Sequence, residues 1–305
     1  MASGPGLGGR GTVPQRRACS SLPTKRGPIL GRGEPGEAMQ QLSAQPFEIG
    51  LATAKGPVRD RNEDASLAAH FFLAQADQQP LPVGLFIVAD GMGGHGQGEQ
   101  ASSLACRLAA EHVIRHVYLP ALADGPAVPI NEVLEESIDI GHRAIVRRLA
   151  GAGTTLTVAL VLGDDVHIAH VGDGRAYLGQ PGHLRLLTQD HSVAERLLEV
   201  GQARVEDIAS ERRVLYKALG HGPGIRPDIL HEDLEVGSYL LLCCDGLWGM
   251  LSDAEIAALV DVAPSPQMAC RDLVAQAIAR GGEDNVTVVL AARGWPWTAR
   301  QDRAG

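Results

Sequence analysis

Three apolar runs of this 305-residue chain each end in an aspartate that is followed at once by a glycine. In chain order these pairs are Asp90-Gly91, Asp173-Gly174 and Asp245-Gly246. A fourth aspartate, Asp284, directly precedes the strand-like run 286–290. Strands fix the position of the residues at their ends, and a following glycine lets the backbone turn sharply beside the carboxylate. The pattern predicts that buried strands deliver several carboxylates to one place.

Carboxylates gathered in this way repel one another. At an effective dielectric constant of about 20, two unit charges about 4 Å apart interact by roughly 4 kcal/mol. A divalent cation removes that repulsion, so the pattern predicts a metal site. Ligand oxygens without His or Cys select hard cations. The net charge of −9 suits multivalent cations and argues against nucleic-acid binding, as does the aromatic content of only 4%.

Cysteine usage and hydropathy indicate the compartment. The five cysteines are odd in number and show no C-x-x-C spacing, which fits a reducing compartment better than disulfides or a zinc site. No apolar stretch approaches the 18 or so residues that span a bilayer, and the N-terminus lacks the apolar segment of a signal peptide. We expect a cytoplasmic, monomeric protein without a membrane span.

The chain divides by composition into a tail and a domain. Residues 1–45 are rich in Gly, Pro, Arg and Ser and carry six Lys/Arg against two Glu, so they are predicted to be a disordered basic tail. Two explanations of these residues are favoured, a start site placed too far upstream and a solvated tail. An organellar presequence or a basic docking arm is less favoured. Residues 46–295 are predicted to form one domain, and 296–305 a C-terminal tail.

Periodicity predicts clusters of strands separated by pairs of helices. The predicted strands lie near 47–54, 65–73, 83–90, 154–162, 165–172, 175–179, 238–244 and 286–292. Helices are predicted over 98–118 and 129–150, and two more begin at a Ser252/Glu255 capping box and at the N-cap Ser265. Residues 190–225 look like a less regular excursion, opened by a possible capping box at Ser192. This order favours an α+β fold with antiparallel sheets.

Seven segments together carry a resemblance to a known family. In chain order they are Arg59 to Asp64, Asp90 to His95, Gly153 to Thr155, Val171 to Arg175, Leu187 to Ser192, Asp245 to Trp248 and Gly282 to Thr287. Between about Gly50 and Ala292 the chain resembles the metal-dependent serine/threonine protein phosphatases of type 2C (the PPM family), specifically the compact bacterial members. The domain at 46–295 is therefore expected to be a type 2C phosphatase domain.

The resemblance implies a fold and a set of site residues. The fold would be a two-layer antiparallel β-sandwich flanked by helices on both faces, with two Mg²⁺ or Mn²⁺ ions and a possible third in a cleft at one end. The residues that it assigns to these ions are Asp90, the carbonyl of Gly91, Asp245, Asp284, Glu63 or Asp64, and Asp173 with Asp245 for the third ion. Arg59 would bind the phosphate through a bidentate contact.

The resemblance also implies an activity. A water shared by two divalent ions would attack phosphoserine or phosphothreonine in line, with no covalent phosphoenzyme. The substrates would be phosphoproteins, either targets of a cognate bacterial serine/threonine kinase or a regulatory phosphoprotein. The excursion at 190–225 would correspond to a flap beside the cleft.

The chain departs from the family pattern at a few positions. Eukaryotic relatives place a histidine, often assigned as the general acid, where this chain has Met92, which makes the nearby His95 a candidate for proton transfer. Gly174 and Gly249 replace the usual Ser and Asp, but neither position is a metal ligand in the pattern. Arg175 is predicted to pair with a structural carboxylate.

Three other functions fit the sequence less well. Residues 91–96 satisfy the G-x-G-x-x-G pattern of dinucleotide-binding folds, but Asp90 would lie beside the pyrophosphate, and no second strand ending in an acid follows. A non-catalytic module of the same fold would be expected to lack a metal aspartate. A zinc site is disfavoured because His167 and His170 would face opposite sides of a strand, and His112 with His116 lacks a third ligand.

Overall fold

The computed structural model describes residues 47–73, 81–122, 128–201 and 214–294. The predicted tails at 1–45 and 296–305 lie outside the described residues. The strands are β1 (Phe47–Ala54), β2 (Asp64–Leu73), β3 (Leu81–Met92), β4 (Gly153–Thr154), β5 (Leu156–Leu162), β6 (Asp165–Val171), β7 (Arg175–Gln180), β8 (His183–Leu186), β9 (Asp228–Asp233), β10 (Ser238–Cys243) and β11 (Val286–Arg293).

The helices lie between the strand clusters, three after β3, one after β8 and three after β10. They are α1 (Gln97–Val113), α2 (Leu119–Leu122), α3 (Ile130–Arg148), α4 (Val193–Glu199), α5 (Asp245–Trp248), α6 (Asp253–Val262) and α7 (Pro266–Ala279). A 3₁₀ turn at Gly94–Gly96 precedes α1, and a π-helical turn at Ile114–Tyr118 joins α1 to α2. The predicted Ser252/Glu255 capping box and the Ser265 N-cap are both present.

Two antiparallel sheets face each other across a central apolar layer. The first sheet has the strand order β1-β11-β10-β7-β8, and the second has the order β2-β3-β5-β6-β9 with β4 paired to the end of β3. Phe86 and Val88 of the second sheet share this layer with Leu240 and Leu242 of the first. The expected fold class, an antiparallel β-sandwich with flanking helices, is confirmed.

Helices cover the outer faces of both sheets. Leu85 and Ile87 of β3 point away from the central layer and pack with α1 and α3, while α6 and α7 cover the first sheet. Because neighbouring side chains on a strand point to opposite faces, strands covered on both sides read as continuous apolar runs. Cys243 and Cys244 accordingly belong to different apolar layers.

The structure differs from the prediction at the sheet edges and beside the end of β3. The predicted strand at 154–162 is interrupted at Thr155, whose backbone N–H donates to the carbonyl of Asp90 at 2.9 Å. The edge strands β8 and β9 were not predicted, because a half-exposed, charge-rich edge lacks the apolar alternation of a covered strand. Among the described residues, no helix has the length and apolar character that crossing a membrane requires.

Candidate metal and phosphate site

The predicted acidic residues converge on one cavity of about 210 Å³ at one end of the two sheets. Its walls include Arg59, Glu63, Asp90, Gly91, Asp173, Asp245 and Asp284. Asp90 comes from the end of β3 in the second sheet, whereas Asp245 follows β10 and Asp284 precedes β11 in the first. Asp173 lies where the chain passes from β6 of one sheet to β7 of the other. The site therefore joins both sheets.

Asp64 lies next to this cavity rather than in its lining. It faces Asp90 across the β2–β3 pair, and ligand atoms of Asp64, Asp90 and Cys244 lie within 4.8 Å of one another. One carboxylate oxygen of Asp64 accepts a hydrogen bond of 2.6 Å from the hydroxyl of Thr287. The other, Oδ1, is buried and has no hydrogen-bond partner among the described residues. An orphaned buried carboxylate oxygen is the kind of donor that a cation satisfies.

The carboxylates are held at an electrostatic cost. Burial raises the pKa of Asp90 far above its usual range, and the neighbouring charges of Asp64 and Asp245 raise it further. Burial followed by the charge of Asp245 raises the pKa of Asp173 in the same way. A divalent cation among these oxygens would reverse the effect, because it favours the ionised form. The donor set of carboxylate oxygens fits a hard divalent cation.

The glycines after Asp90 and Asp245 permit close backbone approach. A Cβ on Gly91 would lie 2.2 Å from the carbonyl oxygen of Gly98 in α1, and one on Gly246 would lie 1.9 Å from the carbonyl oxygen of Asn285. Neither glycine has a positive φ. The predicted role of these glycines in a sharp turn is therefore wrong. They instead allow tight packing between the strand end and its neighbours.

The loop that carries Arg59 and Glu63 is held by Asn285, a role that the sequence analysis did not assign. The Oδ1 atom of this buried amide accepts from the backbone N–H of Glu63 at 2.8 Å. Its Nδ2 atom donates to the carbonyls of Lys55 and Arg61 at 2.9 and 2.8 Å. The signal in the sequence was an asparagine beside a proposed ligand, since an amide can donate and accept at once.

Arg59 lies at the mouth of the cavity. Its guanidinium donates to the Asp284 carboxylate at 2.5 Å, and its side chain is 47% exposed. A half-exposed guanidinium on the cavity wall has further N–H donors that can reach a bound anion. His95 belongs to the turn Gly94–Gly96 between β3 and α1, and its predicted part in proton transfer stays a prediction.

The loop after Asp173 is fixed by aromatic and ionic contacts. The indole N–H of Trp248 donates to the carbonyl of Asp173 at 2.9 Å. Arg175 lies 3.9 Å from the centre of the Trp248 ring and makes two hydrogen bonds, of 3.0 and 2.8 Å, to the Asp190 carboxylate. The prediction that Arg175 pairs with a structural carboxylate is confirmed.

The strand end before Asp173 rests on two histidines. The ring nitrogens of the buried His170 lie 2.9 Å from the Thr157 hydroxyl and 3.1 Å from the Gly172 carbonyl, and burial lowers its pKa to about 3. His191 accepts from the Gly172 N–H at 3.0 Å and stacks on His170. The predicted packing role of His170 is confirmed, and His191, for which the sequence made no such prediction, supports the same strand end.

The remaining histidines, which the sequence disfavours as zinc ligands, have the arrangement that it predicts. His167 contacts the ring of His231, away from His170. The rings of His112 and His116 lie 4.1 Å apart between their centres and are tilted by 32°, and His112 lies 3.5 Å from Glu136. In the ranges that the structure describes, the metal-compatible group of three is Asp64, Asp90 and Cys244, with no histidine.

The structure combines two antiparallel sheets with an acidic cavity that has Arg59 at its mouth. This combination is the one that the sequence resemblance implies for metal-dependent phosphatases. The model of the family described as Protein phosphatase 2C matches residues 61–280. The chain belongs to the protein phosphatase 2C family.

Individual relatives agree. The chain is 34% identical to the serine/threonine phosphatase Stp of Listeria innocua over 249 residues. This match covers 79% of this chain and 94% of that protein. The serine/threonine phosphatase of S. agalactiae superposes with a TM-score of 0.67 at 32% identity, covering 81% of this chain and 99% of that one. The catalytic domain of PstP, solved in complex with two manganese ions, superposes at 0.66 with 30% identity, covering 81% and 97%.

The family assignment decides between the alternatives. The predicted resemblance and the enzyme class, a metal-dependent protein serine/threonine phosphatase, are confirmed. The dinucleotide-binding alternative fails because β3 lies between antiparallel neighbours, whereas that motif requires a parallel βαβ unit.

Proposed function

We propose that this chain hydrolyses phosphoserine and phosphothreonine in proteins with the help of two Mg²⁺ or Mn²⁺ ions held in the acidic cavity. The observation that carries the proposal is the convergence of Asp90, Asp245 and Asp284 with Arg59 on one cavity. The bacterial relatives, which are named serine/threonine phosphatases, support the substrate class.

The ligands follow from the cavity lining. Asp90, the Gly91 carbonyl, Asp245 and Asp284 would hold the pair of ions, with Glu63 in the cavity wall and Asp64 beside Asp90 completing the set. Asp173 with Asp245 would hold a third ion. When bound, the cations lower the pKa of a coordinated water and neutralise charge on the phosphoryl oxygens.

The remaining steps belong to the chain itself. Arg59 would orient the phosphoryl group at the cavity mouth while it stays hydrogen-bonded to Asp284. Asn285 would keep Glu63 in place through the backbone. The half-buried Trp248–Arg175 contact would hold the backbone of Asp173, and so its carboxylate, at the sheet end.

The proposal extends to partners. We infer that the substrates are phosphoproteins, among them targets of a cognate serine/threonine kinase or a regulatory phosphoprotein. Cytoplasmic location, a monomeric state and the absence of nucleic-acid binding stay predictions, as do the domain bounds, the disordered tail at 1–45 and the C-terminal tail at 296–305.

Phosphate release from a phosphothreonine peptide, measured with Mn²⁺ and with excess EDTA, tests the proposal. We expect release with Mn²⁺, none in EDTA, and recovery when Mn²⁺ is restored. Full activity in EDTA would overturn the role of the cations, and inactivity under all conditions would overturn the proposed reaction.

A further inference from the structure

A second, larger cavity opens beside the acidic one. It has a volume of about 640 Å³ and is lined by Met92 and by residues of the segments 214–218 and 221–226. Met92 and Leu215 line both cavities. A peptide whose phosphorylated residue enters the acidic cavity would therefore place neighbouring residues in this groove, which we name the flanking groove.

The flanking groove is lined by basic side chains, of which Arg226 is the uncompensated charge, although the protein as a whole is acidic. Lys217, His221 and Arg226 line it, and no Asp or Glu is among the lining residues that the structure describes. The chain as a whole carries a net charge of −9. A local excess of positive charge on an acidic protein is an electrostatic feature that selects anionic partners.

The three basic side chains are not equally available. The ammonium group of Lys217 is 2.7 Å from the Asp228 carboxylate, which neutralises it. His221 is exposed, but its ring packs against Gly153, where an added Cβ would lie 2.4 Å from the ring. Arg226 is exposed and makes no hydrogen bond or ion pair with any described residue. Its guanidinium donors are thus available to a ligand.

The groove has room for an extended peptide next to Arg226. Cβ atoms added to Gly222 or Gly224 would meet no heavy atom within 4 Å, so this wall is open. Val214 and Tyr216 expose 52% of their surface each and offer apolar contact to a peptide backbone. Apolar walls with one placed charge are the usual composition of a selective binding site.

We propose that the flanking groove binds the substrate segment next to the phosphorylated residue, and that Arg226 selects substrates with an acidic side chain in that segment. This inference rests on the proposed function, because it needs a phosphorylated residue in the acidic cavity. Arg226 is then a specificity-determining residue. Its contact adds to the binding of the phosphoryl group and takes no part in the chemical step.

A pair of phosphothreonine peptides tests the inference. One carries glutamates on both sides of the phosphothreonine, and the other carries glutamines at the same positions. For the wild-type protein with Mn²⁺ at low ionic strength, we expect kcat/KM to favour the acidic peptide by about 1.5- to fivefold, the range of an exposed ion pair. The preference should shrink as salt is added.

Variants separate Arg226 from general effects. The ratio of the two kcat/KM values is the readout, so that any overall change in activity cancels. Arg226→Gln should bring the ratio close to one, and Arg226→Glu should invert it. Arg271→Gln, which removes an exposed arginine on α7 outside both cavities, should keep the wild-type ratio.

Hydrolysis of p-nitrophenyl phosphate by the wild-type protein distinguishes the two proposals. If the protein cleaves it and both peptides without preference, or if Arg226→Glu keeps the acidic preference, only the role of the groove is overturned. If no phosphoester is cleaved with Mn²⁺, the proposed function fails and the inference fails with it.

Discussion

Asp64 and Asp90 lie directly opposite each other on the antiparallel strands β2 and β3, so that two buried carboxylates share one face at the end of the sheet. Burial raises the pKa of Asp64 to about 7, against the hydrogen bond from Thr287 that favours its ionised form. The strand pairing thus forces together charges that only a cation or a proton can neutralise. Metal binding and folding stability are expected to be coupled through this pair.

The first prediction concerns the pH dependence of the metal-free protein. A carboxyl whose pKa is about 4 in the unfolded chain and about 7 in the folded one binds protons more strongly when folded. Its contribution to stability is therefore complete below about pH 4 and is lost as the pH rises through about 7. In EDTA, the Tm of the wild-type protein should fall relative to that of Asp64→Asn over this interval.

Manganese should reverse this trend, because cation binding requires ionised carboxylates. With Mn²⁺ present, the Tm of the wild-type protein should rise with pH over the same interval, and Asp64→Asn should gain less from the ion. A Tm difference between wild type and variant that is constant with pH in EDTA would contradict the assignment of the raised pKa to Asp64.

The second prediction concerns Asp245, which follows β10, and Asp284, which precedes β11. Asp245→Asn and Asp284→Asn each remove a charged oxygen donor while keeping the side-chain shape. We expect each to lower kcat/KM for p-nitrophenyl phosphate by about a thousandfold or more and to weaken Mn²⁺ binding in calorimetry. Asp272→Asn, an exposed position on α7, is the matched control and should retain activity. Near-normal turnover in either cavity variant would remove that residue from the ligand set.

The third prediction separates geometry from charge at Arg59. A planar guanidinium can bind the Asp284 carboxylate and a phosphate at once, whereas a lysine ammonium presents no such fork. Arg59→Lys and Arg59→Ala should both lower kcat/KM by about tenfold to a hundredfold, mainly through KM. Arg61→Ala, two residues along the same loop and outside the cavity lining, should have little effect. Full rescue by lysine would argue for charge alone.

The parts of the site that the sequence could predict are those fixed by strand ends. Continuous apolar runs marked strands that are covered on both faces, and the residue after each run had to lie at a sheet end. Asp90, Asp173 and Asp245 were found this way. Which sheet ends meet is a tertiary property, and the family resemblance rather than periodicity supplied it.

The parts that could not be predicted depend on contacts between distant backbones. The glycine Gly246 reads in sequence as a turn residue, but its function is to let Asn285 approach, which only the folded structure reveals. The edge strand β9 carries Asp228 and Glu232 on a half-exposed surface, so no apolar alternation marks it. The relation of Lys217 to Asp228 likewise joins two segments that no local pattern connects.

The fourth prediction concerns the amide of Asn285. Its three hydrogen bonds to backbone groups of the 55–63 loop are lost in Asn285→Ala, and the amide that joins the loop to β11 is removed. We expect a loss of about 2–3 kcal/mol in the free energy of unfolding in urea and weaker Mn²⁺ binding. Asn131→Ala, an exposed position on α3, is the control.

Asn285→Asp sharpens this test. The carboxylate keeps the acceptor for the Glu63 N–H but faces the carbonyls of Lys55 and Arg61 with no donor. It should therefore be no better than alanine for stability. A stable and fully active Asn285→Asp protein would show that the loop is held by other contacts.

The fifth prediction follows from the approach of two backbones behind the cavity. A methyl group on Gly246 would lie 1.9 Å from the carbonyl oxygen of Asn285, and this atom belongs to backbone that cannot rotate away. Gly246→Ala must therefore push α5, with Asp245 at its start, away from β11 and Asp284. We expect a loss of about 1–3 kcal/mol in the free energy of unfolding and a fall in Mn²⁺ affinity measured on the folded fraction.

Gly224→Ala is the matched control, because a Cβ there meets nothing within 4 Å and the residue has no positive φ. The stability of this variant should stay close to that of the wild type. Equal stability and equal Mn²⁺ affinity in the two variants would mean that the spacing between Asp245 and Asp284 tolerates the shift, and that the glycine after the aspartate is not what sets the ligand geometry.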